Sequence, residues 1–200
     1  RYMDLLYAFL IITAVVTVAI PVIAFICFRM AFYVKQKRIY GPEDYPVPAG
    51  KEYEPFRDEM IGWMKKTYAM PHEEIYITSF DGLRLYGKYY EYAPGAPLEL
   101  MFHGYRGSAE RDLSGGIERC FRVGRSALIV DQRSSGRSQG NVITFGVNES
   151  RDCLAWMKHA IERFGPDCQL MLTGISMGAA TVMIAAGDDL PENVIGVLAD

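Results

Sequence analysis

Gln169-Leu170-Met171-Leu172-Thr173 followed by Gly174-Ile175-Ser176-Met177-Gly178 and then Ala179-Ala180-Thr181-Val182-Met183-Ile184-Ala185-Ala186 decides the fold. The first five residues suit a short buried strand and the last eight a tightly packed helix, so Gly-x-Ser-x-Gly occupies a sharp strand-to-helix turn. In that context Ser176 sits at a strained backbone position, and Gly174 and Gly178 let strand and helix approach closely. The free N–H groups and positive dipole end of the helix then face charge developing beside the serine. Ser176 is the candidate nucleophile; the bland alternative is an ordinary strand-to-helix turn.

A second motif lies upstream. Leu98-Glu99-Leu100-Met101-Phe102 is a predominantly apolar strand run that empties into His103-Gly104-Tyr105-Arg106-Gly107-Ser108. An acyl-transfer site needs two backbone N–H donors aimed at the oxyanion of a tetrahedral intermediate. The residue after the serine, Met177, offers one; the loop after the earlier strand offers the other, assigned to Tyr105, with Gly104 giving the backbone room to turn. His103 is read as structural because it comes too early in the chain to be the base.

These residues form an ordered set that resembles the α/β-hydrolase superfamily from about Glu74 onward. Phe102-His103-Gly104 is similar to the family's oxyanion loop, Asp131-Gln132-Arg133-Ser134-Ser135-Gly136-Arg137-Ser138 to its Asp-x-Arg-x-x-Gly-x-Ser segment, and Gly174 to Gly178 to its nucleophile elbow. Within the superfamily the chain most resembles bacterial membrane-anchored hydrolases described as serine aminopeptidase-like or lysophospholipase-like. The resemblance implies an α/β fold, a mostly parallel sheet with helices on both faces. It also implies a triad ordered serine, acid, histidine, which leaves Asp131 as a loop organiser pairing with Arg133 or Arg137.

The elements read from the chain agree. Ile75–Thr78 and Leu83–Tyr90 suit two strands joined at Asp81-Gly82. Helix from Arg111 to Val123, strand from Ala127 to Asp131, helix from Asn148 to Phe164, the elbow, and strand from Val194 to Ala199 give repeated β-α-β units. His103, Asp131 and Ser176 all fall at C-terminal strand ends, where such sheets gather their catalytic groups.

The triad order exposes a gap. His72, His103 and His159 all precede Ser176, and only Asp188, Asp189, Glu192 and Asp200 follow it as acids. A serine hydroxyl needs an adjacent base and an orienting acid. The expectation is that the sequence is a piece of a longer chain, with acid and histidine beyond residue 200, where the resemblance would put them; Asp200 is a second candidate for the acid.

Leu5 through Phe28 is almost entirely apolar. As a helix it would reach about 36 Å, enough to cross a bilayer, and it lacks a small-x-small cleavage site. Arg29, Lys35, Lys37 and Arg38 follow the span and only Arg1 precedes it, which places the rest of the chain in the cytoplasm of a single-pass membrane protein. Cys27, Cys120, Cys153 and Cys168 have no disulfide-framework spacing.

Three regions are expected: an anchor with its basic segment over residues 1–38, a connector over 39–72, and the α/β part over 73–200. The connector opens on the proline-rich Gly41 to Gly50, stiff and extended. It continues in a short helix whose stripe, Phe56, Met60, Ile61, Met64 and Tyr68, packs on the α/β part or on the membrane surface. The net charge of −3 gives no electrostatic case for nucleic acid, and Arg106, Arg111, Arg119, Arg122 and Arg125 read as a solvated helix face. No metal-ligand spacing or dinucleotide fingerprint is present, so neither metal nor cofactor is expected. The substrate classes that follow are an ester, a thioester or a lipid-like acyl compound; a peptide is the near alternative, and a non-catalytic membrane-anchored binding protein is the alternative of a different kind.

Overall fold

A computed structural model describes residues 1–200 except Gln36 and Arg38; Arg38, counted above among the charges after the span, lies outside the described residues. The chain begins with helix α1 (Tyr2–Ala31), a 3-10 turn at Glu54–Phe56 and helix α2 (Arg57–Ala69). Strands β1 (Glu73–Thr78), β2 (Arg84–Tyr90) and β3 (Leu98–Phe102) follow, then α3 (Ala109–Arg122), β4 (Ser126–Asp131), α4 (Val147–Phe164), β5 (Leu170–Gly174), α5 (Met177–Ala185) and β6 (Val194–Ala199). The strands form one sheet in the order β1-β2-β4-β3-β5-β6. Strands β4, β3, β5 and β6 pair in parallel, while β2 runs antiparallel to both β1 and β4.

The central strands are apolar throughout because both faces of the sheet are covered. Leu98, Leu100 and Phe102 of β3 join Leu128, Val130 and Leu172 in a core closed by Trp156 of α4 and Val182 of α5. Met101, Ala127 and Ile129 point the other way and meet Leu113, Ile117 and Cys120 of α3. Glu99 is the exception on β3, fully buried. It accepts hydrogen bonds from Thr173 Oγ1 (2.6 Å) and Arg125 Nη1 (3.1 Å) and an ion pair from Arg119. Two members of the arginine series are therefore partners of a buried carboxylate and not only surface charges; the strand's one charge needed cations from the last turn of α3 and the turn after it to be tolerated inside.

Helix α2 lies on α3, with Trp63 against Gly115: a Cβ on that glycine would come within 2.8 Å of the indole. Met64 is buried, Met60, Ile61 and Tyr68 are partly covered, and Phe56 is exposed. The expected stripe is thus rotated toward Trp63, which sits on its flank.

Helix α1 buries no residue. Its last turn and the chain just after it are tied to the body. Arg106 Nη2 donates to the Met30 carbonyl at 2.6 Å and Tyr105 Oη to that of Ala31 at 2.7 Å, closing two carbonyls that the helix leaves open. Tyr33 forms a bridge with Val142, flanked by Val34 N–H to Asn141 O and Ile143 N–H to Phe32 O, both 2.8 Å. Contact with the body therefore begins before the proline-rich segment.

Glu74 of β1 accepts from Tyr86 Oη at 2.9 Å and pairs with Arg137. The tyrosine hydroxyl, then the guanidinium, hold its carboxyl below the usual range. A depressed folded-state pKa stabilises above the unfolded value, about 4.3, and that contribution disappears as pH falls through the folded value. Replacing Glu74 by Gln should cost stability at pH 7 and nothing once both forms are protonated. Urea melts of parent and variant across pH 2.5–7 should converge at the acid end; a constant offset across that range would contradict this account.

Candidate active site

Ser176 stands between β5 and α5 with φ 54° and ψ −113°, a backbone conformation costly to any residue with a Cβ. The local packing explains why its neighbours are glycines. A Cβ on Gly174 would lie 2.0 Å from the Gly178 carbonyl oxygen, and one on Gly178 would lie 2.1 Å from that of Phe102. The turn is closed by Ala179 N–H to Ser176 O (2.9 Å) and Gly178 N–H to Ile175 O (2.8 Å), and Ser176's own N–H donates to Asp200 O at 2.7 Å. Its side chain is exposed and makes no hydrogen bond to any described residue.

The loop after β3 comes alongside. A Cβ on Gly104 would sit 3.6 Å from Ser176 Cβ, so this loop faces the serine directly. Gly104 N–H is taken by Asp112 Oδ2 at 3.1 Å, and Gly107 N–H donates to Gly104 O. Among the described residues, neither Tyr105 N–H nor Met177 N–H has an acceptor, and the two flank Gly104 and Ser176 in sequence. The Tyr105 side chain is turned outward, stacked on Phe145 at 5.0 Å between centroids and bonded to the end of α1.

His103 is fully buried and engaged at both ring nitrogens: Nδ1 lies 2.7 Å from Gly104 O, and Nε2 accepts from Gln132 N–H at 3.0 Å. That pattern assigns the proton to Nδ1. Gln132 returns a bond from Nε2 to His103 O (2.6 Å) and accepts one from Thr181 Oγ1 (2.8 Å). Gln132 thus links the loop after β3 to α5, an organising role that sequence reasoning passed over although it quoted the residue; a neutral amide between two charged neighbours gives no local signal.

Asp131 is also a loop organiser, and of the two arginines expected as partners it meets Arg137, through the backbone and not the guanidinium. Its carboxylate accepts the backbone N–H groups of Ala109 (3.0 Å) and Arg137 (2.9 Å), at the start of α3 and across its own loop. The guanidinium of Arg137 goes to Glu74, and that of Arg133 to Asp81 and Asp152. Burial pushes the Asp131 carboxyl upward, with nearby Glu110 adding to the effect. Gly136 makes room for it: a Cβ there would fall 2.0 Å from Asp131 Oδ2.

His72 follows α2 and His159 lies on α4, and neither is bonded to Ser176. The carboxylates Asp188, Asp189 and Glu192 lie beyond α5, in the segment leading to β6. Cys120 and Cys153 are buried, and burial pushes both thiols up, away from the reactive form. No cluster of three His, Cys, Asp or Glu side chains suited to a metal occurs among the described residues.

A cavity of about 780 Å³ opens beside this loop, between Tyr105, Arg106, Gly107 and Arg111 on one side and Arg29, Met30, Tyr33, Lys35 and Lys37 on the other.

Solved structures place this architecture. The chain is similar to an esterase of Pyrococcus furiosus at 21% identity and TM-score 0.60, covering 78% of this chain and 58% of that one. The chain has the α/β-hydrolase fold. An α/β hydrolase from Penicillium (21% identity, TM-score 0.50, covering 65% of this chain and 45% of that one) and epoxide hydrolase A from Mycobacterium thermoresistibile (22%, 0.50, 64% and 38%) share the α/β-hydrolase fold with it. The chain spans 58% of the esterase's length. No family model matches the sequence.

Proposed function

We propose that this chain carries the nucleophile and oxyanion donors of a membrane-anchored serine hydrolase acting on an ester, thioester or lipid-like acyl substrate. The observation that carries the reading is the placement of Ser176 at a strained, exposed turn beside Gly104, with the N–H groups of Tyr105 and Met177 both without a described acceptor. Ser176 Oγ attacks the acyl carbon, the two N–H groups hold the oxyanion, the leaving group departs with a proton, and water then releases the acyl group. A base must take the Ser176 proton, and His103, committed at both ring nitrogens, is not that base.

Helix α1 is read as the anchor of residues 1–38. It is 30 residues long with a mean hydropathy of 2.8 over its most apolar window, and none of that window is buried against protein. Left in water, such a helix would expose far more apolar surface than a soluble protein shows. Arg29, Lys35 and Lys37 after the span orient the body toward the cytoplasm. Residues 39–72 form the connector and residues 73–200 the hydrolase part.

A fluorophosphonate probe tests the catalytic reading, applied both to these 200 residues and to the product of the natural reading frame that encodes them. Labelling of the natural product should fall by at least about a thousandfold in Ser176→Ala. A folded natural product that takes no label would leave the fold as a non-catalytic binding protein.

A further inference from the structure

We propose that the cavity between the end of α1 and the loop Gly104–Arg111 binds the phosphate of an anionic membrane lipid. The proposal rests on the reading of α1 as a membrane span, and it concerns a site distinct from Ser176, which does not line the cavity.

The cavity wall carries Arg29, Lys35, Lys37, Arg106 and Arg111, with no carboxylate among its described lining residues. Three of these cations are partly spent. Lys37 donates to the Ser138 carbonyl, and Arg111 Nε is held by Asp112 at 2.5 Å, leaving its terminal nitrogens. Arg29 lies over the Tyr33 ring at 3.7 Å, Lys35 is exposed, and Arg106 uses one nitrogen on Met30 O. A guanidinium so placed keeps several donors, in the fork geometry that suits a phosphate. Concentrating this charge on one concave wall costs repulsion that an anion relieves.

Depth selects the source of the anion. Arg29 and Met30 belong to the last turn of α1, so the cavity lies where a spanning helix leaves the hydrocarbon, at the level of lipid phosphates. A lipid seated there would bridge Arg29 and Lys35 from the helix side to Arg106 and Arg111 from the loop side. Because Tyr105 and Arg106 already close the α1 carbonyls, the bound headgroup would firm the same loop that presents the Tyr105 N–H.

The full chain reconstituted in nanodiscs of neutral phosphatidylcholine, with and without about one-third phosphatidylglycerol, provides the test. Amide hydrogen exchange of residues 33–35 and 104–111 should slow at least about tenfold with the anionic lipid. Lys35→Glu, at an exposed side chain, and Arg106→Ala should each remove most of that gain while the tryptophan emission of the folded body is unchanged. Equal exchange in the two discs overturns the proposal, as does full protection by millimolar inorganic phosphate in neutral discs, which would make the ligand a free anion. Alkaline carbonate extraction separates the two readings: a chain stripped from the membrane ends the anchor and the lipid site together, whereas one that resists stripping and ignores the lipid ends the site alone.

Discussion

Gly178→Ala is expected to yield almost no folded body. The added methyl would fall 2.1 Å from the Phe102 carbonyl oxygen, 2.7 Å from its carbon and 2.9 Å from the His103 oxygen. All three are backbone atoms at the end of the central strand β3, so no side-chain rotation relieves the clash. Either α5 lifts off β3, unpacking Val182 and Ala185, or β3 leaves its ladder; both place the loss at or above about 4 kcal/mol, the range reserved for severe core disruption. The two tryptophans, Trp63 on α2 and Trp156 in the core, both lie outside α1, so their emission follows the body alone. A urea midpoint within experimental error of the parent would show that the elbow relaxes in a way the packing does not suggest.

The second large effect is expected at Arg133, which is almost wholly buried. It grips Asp152 with two bonds of 2.7 Å, from Nε and Nη2, and reaches Asp81 with two more at 2.9 and 3.1 Å. Burial pushes the Asp152 carboxyl upward and Arg133 pulls it back. Arg133→Met leaves a buried carboxylate on α4 without its cation, a loss of about 3–5 kcal/mol at neutral pH. The deficit should shrink as pH falls, because an unpaired buried carboxylate takes up a proton and becomes cheaper to keep inside. Arg133→Met combined with Asp152→Leu should recover much of the loss. Urea melts at pH 7 and pH 5 decide it: a double variant no more stable than the single one would mean that Arg133 acts through its packing over the Phe80 ring, 4.9 Å from the centroid, and not through its charge.

Legibility in the sequence tracked locality. The strand, turn and helix around Ser176 could be read because the pattern that marks them lies within eighteen residues, although Phe102 and Asp200, which also shape the turn, lie outside it; the structure places β5, Ser176 and α5 where the pattern did. The β-α-β alternation was equally plain, with element ends moving by one or two residues. Charges were misread where the partner lies on another element or is a backbone group. Glu99 meets Arg119 and Arg125, and Asp131 meets backbone N–H groups that no residue type announces. Tyr105 entered through its backbone alone; its side chain reaching Ala31, 74 residues away, is a contact no periodicity can carry.

The elbow also depends on the end of strand β6. Asp200 N–H donates to Gly174 O at 3.0 Å and Asp200 O receives the Ser176 N–H at 2.7 Å, so the last rung of the β5–β6 ladder clasps the serine's own peptide. The strained peptide at Ser176 is therefore held from outside its own turn, so whatever loosens the end of β6 from β5 also loosens the backbone that carries the serine.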